Sequence, residues 1–157
     1  MQTKEELEQW YAQPDPWAYT TTEDDKIRRR KILSMLFMYD RALDIGAGEG
    51  FVTTKIPADE IHAIELSDHA ASRLPSNVKR VREPQGKYDL VATMGTLYSQ
   101  YDHKQIVDWI EQSACKHVLV AGIKDWLLPY TFGKVLMEKE FEYRQYTQKV
   151  TIYAFGS

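Results

Sequence analysis

The sequence predicts an α/β domain: a mostly parallel sheet with helices on both faces, closed by an antiparallel C-terminal strand pair. Three observations predict it. From residue 42 to 123, short apolar β-branched runs alternate with polar or helical stretches, the pattern of βαβ units. An apolar run leads directly into a glycine-rich turn, Ala42-Leu43-Asp44-Ile45-Gly46-Ala47-Gly48-Glu49-Gly50. After Gly122 the alternation gives way to two strand-like runs close together. The 157 residues leave room for one domain, at roughly 100–200 residues per domain.

The N-terminal stretch reads as helical. Thr3-x-x-Glu6 and Thr22-x-x-Asp25 are capping-box patterns and predict helices over 3–11 and 24–37. Between them Pro14-Asp15-Pro16-Trp17-Ala18-Tyr19 is not helical, because its prolines bar that backbone. Residues 1–30 are expected to form a helix and a flap over the carboxyl edge of the sheet, with 31–157 as the core. The alternative for the flap is a surface tail that only packs.

Strands are predicted over 42–45, 61–65, 78–81, 88–93 and 117–122. Ser67 is placed to cap a helix over 67–74, and Asp102 one over 103–115, where Ile106, Val107, Ile110 and Ala114 share a face. The link from the third strand to Tyr88 holds the turn Glu83-Pro84-Gln85-Gly86 and is too short for a helix, so one crossover helix is expected to be reduced. Residues 130–140 are expected to be helical. Runs at 142–147 and 150–155 are expected to pair antiparallel about Gln148-Lys149.

Composition bounds the function. The 20 basic and 23 acidic residues give a net charge of −3, so no global field draws the chain to nucleic acid or an anionic membrane. One cysteine, Cys115, permits neither an intrachain disulfide nor a cysteine zinc site. It is expected to lie inert in a buried helix. His62, His69, His103 and His117 lack metal-ligand spacing, so no metal site is expected. The first eight residues lack a signal-peptide apolar core, and no run approaches the ~20 apolar residues of a membrane span. A cytoplasmic protein is expected.

The glycine-rich turn carries the chemistry. Glycine allows positive φ and close approach of a ligand to bare main chain. A helix start expected behind the turn would add N–H donors and partial positive charge. A dinucleotide site wants G-x-G-x-x-G, but after Gly46 and Gly48 the third position is Phe51. Asp44 at the strand end would repel a pyrophosphate and suits a cation. That favours an amino-acid-bearing nucleoside such as S-adenosylmethionine over a nicotinamide dinucleotide. Glu65 ends the next strand, 19 residues after Gly46, where an acid accepts from both ribose hydroxyls.

These strings resemble a known family. Asp44 to Gly50 looks like motif I of the class I S-adenosylmethionine-dependent methyltransferases, Ile64-Glu65-Leu66-Ser67 like their acidic-loop motif, and Tyr88 to Thr93 like their fourth-strand motif. Asp15-Pro16-Trp17 and Gly95-Thr96-Leu97-Tyr98 are similar to the nodulation protein S-like members. The resemblance implies a Rossmann-like methyltransferase fold that binds S-adenosylmethionine and releases S-adenosylhomocysteine. It implies that Asp44, Gly46, Ala47, Gly48 and Gly50 line the methionine end, with Met94 and Gly95 beneath it. Glu65 would hold the ribose, Leu66 flank the adenine and Glu83 meet the adenine amino group. Trp17 would lie over the cofactor, and Arg28 would face its carboxylate.

Other signals are weaker. The run Lys26-Ile27-Arg28-Arg29-Arg30-Lys31 reads as a solvated helix face, a cofactor contact or a phosphate-binding patch. Tyr98, Tyr101, Trp126 and Tyr130 are candidates to wall an acceptor pocket or simply to pack. Tyr98 and His103 are the candidate general bases. Thr93-Met94-Gly95-Thr96 stands where an Asn/Asp-Pro-Pro-Tyr/Phe element would be, which argues against DNA adenine and peptide glutamine as acceptors. The expected function is methyl transfer to a small-molecule acceptor. The alternatives are a non-catalytic cofactor-binding module or partner subunit and, third, a nicotinamide oxidoreductase.

Overall fold

The computed structural model describes residues 3–156. Its strands are β1 (Tyr39–Ile45), β2 (Ala58–Ile64), β3 (Val78–Arg80), β4 (Tyr88–Met94), β5 (Ala114–Ile123), β6 (Gly133–Tyr143) and β7 (Tyr146–Phe155). Its helices are α1 (Lys4–Tyr11), α2 (Glu23–Ser34), α3 (Asp68–Ser72) and α4 (His103–Ser113), with one 3-10 turn at Thr53–Lys55. The strands form one sheet in the order β3-β2-β1-β4-β5-β7-β6. β3, β2, β1, β4 and β5 pair in parallel, and β7 runs antiparallel between β5 and β6. The chain leaves β1 toward β2 on one side and reaches β4 on the other. The switch point therefore lies at the carboxyl ends of β1 and β4, where open α/β sheets bind ligands.

Each face of the sheet has its own core. Ile32 and Met35, at the end of α2, pack on Ala42, Ile61, Leu90, Leu119 and Ile152. Ile106 and Ile110 of α4 pack on Leu43, Val91, Val118 and Tyr153 opposite. Burying each large aliphatic side chain contributes about 1.5–3 kcal/mol, which fixes strand register because a one-residue slip would turn every side chain to the wrong face. His62 and His117 are buried, and each shares a hydrogen bond with a tyrosine: His62 Nδ1 with Tyr88 at 2.7 Å and His117 Nδ1 with Tyr39 at 2.9 Å. Among the described residues no helix is long and apolar enough to cross a membrane, and no three His, Cys, Asp or Glu cluster for a metal.

Several expectations need correction. Residues 130–140 are not helical, because β6 occupies Gly133–Tyr143. Val135, Met137, Phe141 and Tyr143 recur at period two, and β6 pairs with β7 along its length. The charged residues between them leave no apolar stripe wide enough to dock a helix. The hairpin turn is Arg144-Gln145, with Arg144 at φ 54°, so Gln148 and Lys149 lie inside β7. Helix α4 ends at Ser113 and the chain enters β5 at once. Cys115 is therefore an exposed strand residue, its thiol donating to Tyr88 O at 3.3 Å. The crossover from β3 to β4 has no helix, as the turn at Glu83 predicts. Behind the glycine turn only Thr53–Lys55 is helical. β2 begins at Ala58, and Pro57 keeps Ile56 extended, which leaves no length for a longer helix.

Thr22 caps α2 by position but makes no side-chain cap bond, and Asp25 does not close the capping box. The Asp25 carboxylate is fully buried and reaches across to the β6–β7 turn. It accepts from Tyr143 Oη at 2.6 Å and from Arg144 Nε at 3.2 Å, with Arg144 Nη2 on the same oxygen. Arg144 Nη2 also donates to Trp17 O at 2.7 Å. One buried carboxylate thus ties α2 to the sheet edge and, through Arg144, to the segment before α2. Arg144 is 35% exposed and can turn to water, but without Asp25 the buried Tyr143 hydroxyl loses its acceptor and Arg28 its ion contact, at a cost of about 1–3 kcal/mol. Asp25→Ala is expected to lower unfolding free energy by about 1–3 kcal/mol in urea titrations. A loss under about 1 kcal/mol would show that the clamp does not hold α2.

Candidate active site

One face of the sheet leads from the core to the site. Ala42, Ala92, Ala121 and Val150 of β1, β4, β5 and β7 lie together in the core under α2. Nearer the carboxyl edge of the same face stand Asp44, registered against Ala92, Met94, registered against Ala121, and the partners Ile123 and Gln148. Here the apolar core ends and a cavity of about 600 Å³ begins. The glycine turn, the β4–α4 loop, the segment before α2 and the β6–β7 turn wall it.

The glycine turn uses its own donors. Gly46 N and Ala47 N donate to Ile64 O at 2.8 and 3.4 Å, Gly50 N donates to Ala47 O at 3.1 Å, and Gly48 N donates to Glu65 Oε1 at 2.6 Å. A phosphate would find none of these N–H groups open, and no helix dipole stands behind the turn. Two of the glycines are sterically required. A Cβ on Gly46, at φ 81°, would lie 2.5 Å from Thr96 Cγ2, and one on Gly48, at φ 62°, would lie 2.8 Å from Tyr11 Oη.

Asp44 is buried beside this turn. Thr53 Oγ1 donates to its Oδ2 at 2.7 Å, while Oδ1 is buried without a hydrogen-bond partner. Burial pushes its carboxyl up to about 7, against the Thr53 hydrogen bond, and the nearby Glu65 charge adds to the rise. Arg28 faces the same cavity from α2. Its guanidinium lies over the rings of Tyr19 at 5.2 Å and Tyr143 at 5.7 Å. Its Nε is buried without a hydrogen-bond partner, and its ion contact, Asp25 Oδ1, is 3.7 Å away. These two atoms are the buried side-chain polar atoms left unpartnered among the described residues. A buried, unmade hydrogen bond costs about 1–3 kcal/mol, more for a charged group, so the two together are a concentrated cost in one cavity.

Glu65 is buried at the tip of β2. Its two oxygens accept from Gly48 N and from Ser67 N at 2.9 Å, and burial holds its carboxyl above the usual range. Helix α1 closes this end. Glu8 Oε1 accepts from Ser67 Oγ at 2.5 Å and from His69 N at 3.1 Å. The next segment is an aromatic ladder, Trp10, Trp17 and Tyr19, with ring centroids 5.4 and 5.7 Å apart. Asp15 N anchors it by donating to Glu49 Oε1 at 2.8 Å.

Among the residues singled out in the sequence, Trp17, Arg28, Asp44, Glu65, Leu66 and Tyr98 line the cavity. So do Gly46, Ala47, Gly48, Met94 and Gly95. Gly50 lies outside the lining, where a Cβ would meet Leu74 and Pro75 at 2.9 Å. Glu83 is on the exposed turn after β3, also outside it. His103 is not in the lining, and its Nδ1 shares a hydrogen bond with Tyr130 Oη at 2.7 Å. Tyr98 Oη accepts from Ile123 N at 2.7 Å, and burial pushes its phenol up to about 12. Of the basic run only Arg28 enters the cavity. Arg29 donates to Tyr19 O at 2.6 Å, and Arg30 pairs with Glu23 at 3.5 Å. Sequence reading missed Tyr11, Tyr143, Arg144 and Gln148. The last three were hidden by the misplaced C-terminal hairpin.

Gly48→Ala is expected to cost about 1–2 kcal/mol in urea unfolding, because a left-handed backbone and the Tyr11 hydroxyl both oppose a Cβ. An unchanged midpoint would mean that α1 does not hold its place against the turn.

No family model matches the chain, and no curated protein matches it. Solved structures do match in fold. The N-methyltransferase NodS from Bradyrhizobium japonicum WM9, in complex with S-adenosyl-L-homocysteine, superposes with a TM-score of 0.83 at 15% identity over 100% of both chains. The magnesium protoporphyrin IX methyltransferase ChlM from Synechocystis PCC 6803, with bound S-adenosylmethionine, gives 0.67 at 10% identity over 98% of this chain and 97% of that one. The chain has the Rossmann-like fold of the class I methyltransferases and resembles NodS in its architecture.

Proposed function

We propose that the chain is an S-adenosylmethionine-dependent methyltransferase acting on a small-molecule acceptor. The observation that carries this reading is the unpartnered pair, Asp44 Oδ1 and Arg28 Nε, in one cavity beside the glycine turn. An amino-acid moiety offers an ammonium to the first and a carboxylate to the second. NodS and ChlM, solved with S-adenosylhomocysteine and S-adenosylmethionine respectively, support the same choice of ligand.

The protein residues fit such a cofactor. Asp44 would accept from the ammonium and Arg28 would donate to the carboxylate. Glu65 would accept from the ribose hydroxyls with the lone pairs that Gly48 N and Ser67 N leave free. Leu66, half exposed on the cavity wall, would flank the base. When bound, the cofactor supplies a methyl group already activated on a sulfonium. The protein then needs to align an acceptor in line and exclude water, and orientation alone can lower such a barrier by about 7–11 kcal/mol. A phenol held near 12 keeps its proton at neutral pH, so Tyr98 donates and positions rather than deprotonates. With His103 turned to Tyr130, the reading favours an acceptor atom whose lone pair is already free at neutral pH.

S-adenosylhomocysteine is expected to raise the melting temperature, with NAD having no effect, and extracts incubated with S-adenosylmethionine are expected to yield a product heavier by one methyl. No response to S-adenosylhomocysteine in calorimetry would overturn the reading. Cofactor binding without any methylated product would favour a non-catalytic binding module instead.

The raised carboxyl of Asp44 sets a pH dependence. Only its ionised form pairs with an ammonium, so affinity for S-adenosylhomocysteine should rise about tenfold from about pH 6 to about pH 8, with proton release. In the free protein the sign is opposite. Neutral Asp44 is at no disadvantage below its ordinary 3.8, and its stability contribution is lost as pH rises through about 7. Asp44→Asn should therefore remove the pH dependence of binding. It should also melt progressively higher than wild type as pH rises toward about 8. A variant that binds as tightly as wild type at about pH 8 would exclude Asp44 as the ammonium partner.

A further inference from the structure

The cavity extends under the β6–β7 turn, and one residue lining this part of the chamber has no role in the cofactor binding proposed above. Gln148 is 3% exposed, lines the cavity and has no hydrogen-bond partner for its side-chain amide among the described residues. It stands opposite Ile123, whose N–H holds Tyr98, and on the same sheet face as Asp44. Its neighbours are aromatic. Trp126 lies 5.7 Å from Tyr98 and 5.0 Å from Tyr146, centroid to centroid. The charges nearby are already committed, with Arg144 on the buried Asp25 carboxylate and, on the function proposed above, Arg28 on the cofactor carboxylate.

We infer that this chamber is the acceptor subsite and that Gln148 is its specificity-determining residue, reading an uncharged, flat group with a hydrogen-bond donor and acceptor side by side, as in an amide. A primary amide offers an N–H and a C=O in one plane, and another amide is its complement. Aromatic walls take flat groups, and with Arg144 held by Asp25 and Arg28 assigned to the cofactor no cation is left here for a carboxylate. The Gln148 amide lines the cavity and bonds to no protein group among the described residues, so its donor and its acceptor are both open to a ligand.

The test is calorimetry on the full chain saturated with S-adenosylhomocysteine, using benzamide, benzoate and benzylammonium as probes. Benzamide should bind about tenfold or more tightly than either charged probe. Gln148→Leu should abolish that preference, leave S-adenosylhomocysteine affinity unchanged and melt no lower than wild type. Gln148→Met serves as a second variant should the leucine disturb packing. Equal or tighter binding of a charged probe, no binding of benzamide while S-adenosylhomocysteine binds, or an undiminished preference in both variants would overturn the inference. A chain that does not bind S-adenosylhomocysteine would overturn instead the function on which it rests.

Discussion

A carboxyl group buried at the tip of a central strand, with one oxygen unpaired, constrains the rest of the site. Asp44 sits where the parallel sheet changes direction, in line with alanines that pack under α2. The surrounding protein supplies Thr53 as a donor and the charge of Arg28 nearby, but burial outweighs both and pushes the carboxyl up to about 7. On the proposed function a bound ligand relieves the cost of that burial by bringing a positive charge to Asp44.

The absent helix behind the glycine turn shifts the other half of the recognition. With a single 3-10 turn in that place, and the turn's amides bonded internally, no macrodipole or open N–H cluster remains to meet an anion. On the proposed function that work falls to Arg28, carried by α2. The Asp25 clamp to Tyr143 and Arg144 then acquires a functional meaning, because it fixes the helix that aims Arg28. Arg144 extends the same clamp to the aromatic segment through Trp17 O. One buried carboxylate thereby ties α2, the β6–β7 turn and the aromatic segment together.

What the sequence made legible follows from how local its causes are. Ser67 and Asp102 cap their helices with their own side chains, accepting from Ala70 and Gln105, and such caps need only neighbouring residues. The Asp44-to-Gly50 string was readable because a strand, a tight turn and its charge are contiguous. Asp25 misled because its spacing to Thr22 matches a local cap, while its partners lie far along the chain. The hairpin was misplaced because β6 is an edge strand with charges between its apolar residues, and its pairing with β7 rather than its own pattern makes it a strand. Gln148 was invisible for the same reason: its place in the cavity depends on the β5–β7 pairing that sets it opposite Ile123.

Calorimetry with S-adenosylhomocysteine and with methylthioadenosine, which lacks the amino-acid end, isolates the contribution of Asp44 and Arg28. In wild type the first should bind far more tightly than the second. In an Asp44→Asn, Arg28→Met double variant the two should bind alike, with methylthioadenosine affinity little changed. A double variant that still prefers S-adenosylhomocysteine by the wild-type margin would show that these side chains do not read the amino-acid moiety.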